Sequence, residues 1–275
     1  VVIMNYFSIL LQSTDYFLGM GQRYQETKSS YDRLLSYDEM EQTKEGWRRP
    51  EKIDRMELVA VTFEYPEQKP IFQVCSAFEK GNIYWIRGKN GTGKTTMMNL
   101  LLGLFGNDYH GYIELDGTRE KEIFYSEFVK KNVAIVEQEP YLLEDTLEEN
   151  MLCKTDRKEE KRKELRELLR YFEMDAFLAK QPQGLQTVYH SLNSTLSGGE
   201  KQKIVLIRML LSDASVWMLD EPASALDEAS TKKLYEELER RKKNHMILMI
   251  SHEEPLCRSY VVNMSEFSYD PDHIR

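Results

Sequence analysis

Cysteine is scarce. The 275 residues hold three, Cys75, Cys153 and Cys257, far apart and with no CxxC pair. That spacing excludes a disulfide framework and a cysteine zinc site, and it fits reduced thiols. Positive charge is in deficit too. Lys and Arg number 37 against 46 Asp and Glu, a net charge of −9. The basic stripe of a nucleic-acid face is therefore missing, and no nucleic-acid partner is expected. No apolar run is long enough for a complete membrane-spanning helix. No internal repeat is visible. The first residues carry no basic region and no small-residue cleavage site, so a signal peptide is not expected. With 41% hydrophobic residues there is material for a core, and the length fits one large α/β unit.

The opening segment is unusual. Val1 to Gln22 carries one charge, Asp15, and Val1 to Leu11 is almost wholly apolar. As a helix those first residues would span about 17 Å, roughly half a bilayer core. Polar residues then thicken through Arg23, Glu26, Lys28, Asp32 and Arg33, and the first proline is Pro50. Residues 1–37 read as one long helix, either the end of a membrane helix belonging to a longer chain or an amphipathic packing helix. The one-directional gradient from apolar to charged favours the first. Residues 38–52 are dense in charge and read as a linker. The rest, 53–275, reads as one catalytic unit.

Within that unit, alternation predicts a strand over Met56–Tyr65. Short apolar runs predict buried strands at Ile83–Ile86, Val133–Val136, Val216–Leu219 and Met246–Ile250. Helices are expected over Thr95–Phe105 and Lys201–Leu211. Between them lies a largely helical insertion, about 139–197. In it, Lys154–Arg170 reads as a solvated helix with internal ion pairs.

Gly88-Lys89-Asn90-Gly91-Thr92-Gly93-Lys94-Thr95 follows a predicted strand and opens a predicted helix, the context a phosphate loop requires. Gly88, Gly91 and Gly93 permit a tight turn and close approach to phosphate oxygens. The loop amides, those of Asn90 and Thr92 among them, and the helix N-terminus supply fixed positive potential. Lys94 should reach the β and γ phosphates, Thr95 should hold Mg²⁺, and Thr96 should add a phosphate contact. At the end of an apolar strand stand Asp220, a candidate Mg²⁺ ligand, and Glu221, a candidate to polarise water. Ser197 is a natural helix N-cap, and Gly198 and Gly199 bare backbone amides, so this turn is a second anion site without a lysine.

The phosphate loop, Leu196-Ser197-Gly198-Gly199-Glu200, Asp220-Glu221 and His252, in that order, resemble the ATP-binding cassette of ABC proteins over roughly Ile53 to Val262. The resemblance implies a P-loop NTPase (RecA-like) α/β core, an antiparallel β subdomain and an inserted α-helical subdomain. Tyr24-Gln25 and Ser29–Leu35 resemble the cytoplasmic end of the last membrane helix in ABC exporters. The family pattern implies further roles. Gln138 resembles the Q-loop glutamine that touches Mg²⁺ and couples to the membrane domain. Leu196–Glu200 resembles the signature motif, which closes over ATP on a second, head-to-tail cassette; Glu200 stands where Gln is commoner. Ser224-Ala225-Leu226-Asp227 resembles the D-loop at that contact, and His252 the switch histidine that senses the γ phosphate. Tyr65 resembles the aromatic that stacks on adenine, with core packing as the competing use. One stretch departs: Thr187-Val188-Tyr189-His190-Ser191-Leu192-Asn193 has His190-Ser191 where exporters carry Gly-Glu facing the membrane domain.

The expected protein is therefore the Mg²⁺-dependent ATPase domain of an ABC exporter. It would pair with a like or unlike cassette and with membrane domains, at the cytoplasmic face of a bacterial plasma membrane. Rival readings are a soluble ABC ATPase of translation or DNA repair, an importer ATPase subunit, and a nucleotide-regulated scaffold without turnover. The single cassette, acidic balance and apolar start weigh against the first, and an importer subunit would begin near residue 53, without Val1 to Leu35. Glu221 and His252 together weigh against the third.

Overall fold

The computed structural model describes residues 52–64, 71–106, 108–123, 125–191 and 196–267. The readings for 1–37 and for nearly all of 38–52 lie outside the described residues, as does Tyr65.

The chain opens with strands β1 (Arg55–Phe63), β2 (Phe72–Glu79) and β3 (Ile83–Arg87), then helix α1 (Lys94–Leu101). Strands β4 (His110–Leu115) and β5 (Thr118–Arg119), helix α2 (Tyr125–Asn132) and strand β6 (Val133–Val136) follow. The insertion contributes α3 (Leu147–Leu152), α4 (Lys158–Tyr171) and α5 (Asp175–Leu178). The chain then runs through α6 (Gly198–Leu211), β7 (Val216–Asp220), α7 (Glu228–Arg241), β8 (Met246–Ile250) and β9 (Tyr260–Asn263).

Two sheets result. β2, β1, β4 and β5 lie side by side in that order, all pairs antiparallel. β1 buries Met56 and Leu58, then Val61 and Phe63, so its alternation slips by one residue midway. A bulge absorbs the slip: between Leu58 and Val61 the register shifts against β2, and between Val59 and Thr62 against β4. Ala60 there has φ 49, in the left-handed region, and the opposing Gly111 has φ 83. A Cβ on Gly111 would come within 2.5 Å of the Val59 and Ala60 carbonyl oxygens, so glycine is required.

The second sheet has the order β6-β7-β8-β3-β9, and every pair is parallel. Apart from the edge strand β9, its strands are apolar up to their last residues because both faces are covered. Ala134, Val136, Trp217, Leu219, Ile247, Met249 and Ile83 face one core with α6, α7 and the inserted helices. The alternate residues Val133, Val216, Met218, Met246, Leu248, Ile250 and Ile86 face a second core with α1 and the antiparallel sheet. The consequence for function is the register. Ile86 pairs with Ile250, Asp220 with Ile250, and Val136 with Leu219, so four carboxyl ends finish on one edge.

Predicted strands match to within a residue or two, while helix ends move. α1 stops at Leu101, not Phe105, where Gly103 takes φ 73. α4 begins at Lys158 rather than Lys154, because the preceding residues end α3 and Thr155 bonds Asp213. α6 begins three residues before Lys201, at its cap.

Candidate functional site

In open parallel sheets the crevice beyond the carboxyl ends is where ligands bind. Here β3 runs out into Gly88–Lys94. Gly91 and Gly93 have φ 82 and 84. Gly93 is also in close contact: an added Cβ would meet Ile71 and Phe72 at 2.7 Å. Thr92 closes the turn, its hydroxyl donating to the Lys89 carbonyl at 2.9 Å. Asn90 and Gly91 are exposed on the loop. The Lys94 ammonium donates to the Gly88 and Lys89 carbonyls at 2.9 and 3.2 Å, which holds it over the loop. No side chain caps the N-terminus of α1, so its first amides keep their donor character.

Asp220 ends β7 half-buried. Lys94, the Thr95 hydroxyl at the start of α1 and His252 all favour its charged form. Burial is nevertheless the larger effect and holds the Asp220 carboxyl above its ordinary value. Glu221 follows with φ 48, a left-handed conformation that a non-glycine residue adopts at a cost of about 1–3 kcal/mol. Its amide donates to the Ile250 carbonyl at 3.0 Å, tying the turn to β8. Burial also raises the Glu221 carboxyl, against the attraction of His252; the Asp220 charge raises it further. His252, just past β8, sets Nε2 3.7 Å from Glu221 Oε1. The two differ in access: the His252 side chain is 63% exposed, that of Glu221 15%. Lys94, Thr95, Asp220, Glu221 and His252 thus form one electrostatic group. Gln138 lies two residues beyond β6 and is exposed, on the same sheet edge. Thr96 is half-buried in the first turn of α1.

Leu196–Glu200, expected to form the signature motif, lead into α6. Ser197 caps it: its hydroxyl accepts from the Glu200 amide at 3.2 Å, and Glu200 Oε2 accepts from the Ser197 amide and hydroxyl at 2.8 Å each. This capping box explains an acid at position 200. It engages the amides of Ser197 and Glu200 but not those of Gly198 and Gly199. Gly199 lies against the Ala225 carbonyl, 2.9 Å from where a Cβ would be. Asp227 caps α7 through the Ser230 amide at 2.7 Å and faces Lys203 at 3.5 Å. Its side chain is engaged by Ser230 of its own helix and by Lys203 of α6.

Several residues that hold the site carry no motif. Asn150 of α3 is fully buried and bonds the Leu143 amide and carbonyl. Arg208 of α6 donates to the Asn150 and Tyr141 carbonyls, pinning the segment after Gln138 to α6. Gln202 donates to the Pro222 carbonyl at 3.0 Å, directly after Glu221. A polar residue inside an apolar helical stripe was the available signal for Gln202. Near His190-Ser191, the Ser191 hydroxyl donates to Glu144 at 2.8 Å, so a carboxylate reaches that stretch from another loop.

Residues 72–224, more than half of the chain, match the family model described as ABC transporter. The chain belongs to the ABC transporter family. It carries that family's ATP-binding domain on a P-loop NTPase fold. The cassette is 30% identical over 202 residues to a probable ABC transporter ATP-binding/permease protein of Haemophilus influenzae, covering 74% of this chain and 36% of that one. It is 31% identical over 194 residues to an ATP-dependent lipid A-core flippase of Vibrio cholerae, covering 70% and 33%. A solved bacterial Atm1-family ABC exporter with ATP bound has the same fold, with TM-score 0.64 and 22% identity over 85% of this chain and 42% of that one. The chain spans about a third of the length of these curated relatives. No helix among the described residues is long and apolar enough to cross a membrane.

Proposed function

We propose that the cassette hydrolyses ATP to ADP and phosphate and drives the membrane domains of an ABC exporter. The observation that carries this reading is the grouping of Lys94, Thr95, Asp220, Glu221 and His252 at one sheet edge. In it, Lys94, the loop amides and Thr96 hold the phosphates, and Tyr65 stacks on adenine. Glu221, its basicity increased by burial, polarises the attacking water. His252 hydrogen-bonds the γ phosphate and steadies Glu221.

A magnesium ion fits the donors present. Thr95 and Asp220 offer hard oxygens close enough for the Thr95 hydroxyl to favour the Asp220 carboxylate, and Gln138 would add another. Among the described residues no cluster of three or more His, Cys, Asp and Glu could hold a metal ion. That suits an ion bound by one or two protein oxygens with the substrate's phosphates. When bound, it neutralises charge on the β and γ phosphates.

Ser197, Gly198, Gly199, Glu200 and Asp227 belong to a second half-site, used head-to-tail by another cassette, like or unlike. A relative whose name joins an ATP-binding part to a permease supports fusion of the cassette to membrane domains.

The test is Mg²⁺-ATPase rate against protein concentration, wild type beside Glu221→Gln. Specific activity should rise with concentration and vanish in the variant, which should still bind ATP. Undiminished hydrolysis in the variant would remove Glu221 from its role. Concentration-independent turnover would point to a preformed dimer or a monomeric site.

A further inference from the structure

Trp85 lies on β3, just before the phosphate loop, and is 6% exposed. Its indole Nε1–H donates to the Ser251 carbonyl at 2.9 Å, a buried bond between β3 and the residue that follows β8. That carbonyl belongs to the peptide group whose N–H is His252's; His252 sets its imidazole Nε2 3.7 Å from Glu221 Oε1, and its N–H lies near enough to the same carboxylate to favour its charged form. One peptide plane is thus held at its oxygen by Trp85 and faces Glu221 with its nitrogen. Because the group is rigid and planar, turning it away from Trp85 also turns it away from Glu221. Accepting a hydrogen bond at oxygen also polarises the amide and strengthens its donation. Over the outer face of Trp85 sits the Arg87 guanidinium, 5.3 Å from the ring centroid.

We propose that Trp85 is a positioning residue for Glu221 and His252, acting through the peptide group that joins Ser251 to His252. The proposal rests on the reading of Glu221 as the group that polarises water. It explains how a carboxylate on a left-handed, strained turn is aimed. The turn is held by the Ile250 carbonyl at its backbone, and the side chain meets an amide whose orientation is set by the strand that leads into the phosphate loop. The nucleotide loop and the hydrolytic pair therefore share one hydrogen-bonded link inside a single chain.

A space-filling role would need the ring and not the N–H, and the two are separable. Trp85→Phe keeps an aromatic ring and removes the donor. Replacement of Trp85 by benzothienylalanine keeps the bicyclic outline with sulfur for N–H, and serves should the phenylalanine variant pack poorly. Each is compared with wild type in ¹⁵N-labelled protein and in Mg²⁺-ATPase assays. The His252 amide proton should move upfield in both variants. The kcat should fall about tenfold, the scale of one lost orienting hydrogen bond, with KM for ATP held within about twofold. An unmoved His252 amide in the sulfur isostere overturns the proposal, and so does an unchanged kcat. If Glu221→Gln hydrolyses ATP like the wild type, the functional reading fails instead. The amide shift still judges the Trp85 link in that case.

Discussion

His252 reaches Glu221 twice, with its imidazole Nε2 3.7 Å from Oε1 and with its backbone N–H. Both contacts favour the carboxylate, yet burial outweighs them and the Glu221 carboxyl sits above its ordinary value. Removing the imidazole should raise it further. A ¹³C NMR titration of the Glu221 carboxyl in His252→Ala should show the shift upward, and a shift downward would contradict the geometry.

The same raised value has a stability consequence. A carboxyl whose folded value lies above its unfolded one contributes stability below the unfolded value. That contribution is lost as pH rises through the folded value. At neutral pH the ionised Glu221 therefore destabilises the fold, and so does Asp220. Glu221→Gln should melt at a higher temperature than wild type at pH 7, and the difference should shrink toward pH 4. Thermal midpoints at the two pH values decide it.

His245 gives the opposite window. Its ring stacks on Trp217 at 3.8 Å, its Nδ1 meets the Ala214 carbonyl at 2.8 Å, and burial pushes its pKa down to about 4. Between the unfolded value near 6.5 and about 4, the unfolded chain takes up the proton first. Stability should then fall as pH drops through that interval, by at most about 3 kcal/mol from this residue. Urea midpoints of wild type and His245→Gln between pH 7 and 4.5 should converge on acidification.

Glu200 should behave as a cap. Glu200→Gln keeps a side chain that can accept from the Ser197 amide and should be near neutral. Glu200→Ala opens the box and should lose about 1 kcal/mol in denaturant unfolding. Equal losses in both variants would assign the stabilisation to charge at the helix start rather than to the box.

Gly93 and Gly91 separate contact from conformation. Both have left-handed φ, but a Cβ on Gly91 meets nothing within 4 Å, whereas one on Gly93 meets Ile71 and Phe72 at 2.7 Å. Gly91→Ala should lose about 1 kcal/mol from backbone strain alone. Gly93→Ala should lose more and should abolish binding of a fluorescent ATP analogue, read by polarisation.

Much of the site was legible because its residues sit where apolar runs stop. Met246–Ile250 ends as the sequence predicts, and Asp220 and His252 follow from such ends. The glycines announced the loop. The links between elements were hidden. Trp85 reads as one more core aromatic, and Arg208 as one more helix charge, since nothing local signals a bond to Ser251 or Tyr141. β9 offers only the short run Tyr260-Val261-Val262, with Tyr260 and Val261 exposed, and its pairing with β3 makes it a strand. α7 is equally quiet, because its buried face is reduced to Leu234, Tyr235, Leu238 and two polar residues. The helical insertion was visible as a region but not in its breaks, which Thr155 and Asp213 set from a distance.

Ala60 makes β1 one residue longer than its partners require. From Leu58 to Val61 it advances three positions while β2 advances two, from Ser76 to Val74. Against β4 the count is the same, Val59 to Thr62 facing Tyr112 to His110. Striking Ala60 from the chain would therefore leave an uninterrupted two-beat rhythm in which Met56, Leu58, Val61 and Phe63 all keep their inward places. The surplus residue serves curvature rather than burial. It bends the strand where Gly111 leaves room, and a shortened chain would keep its core while flattening the sheet that borders the phosphate loop.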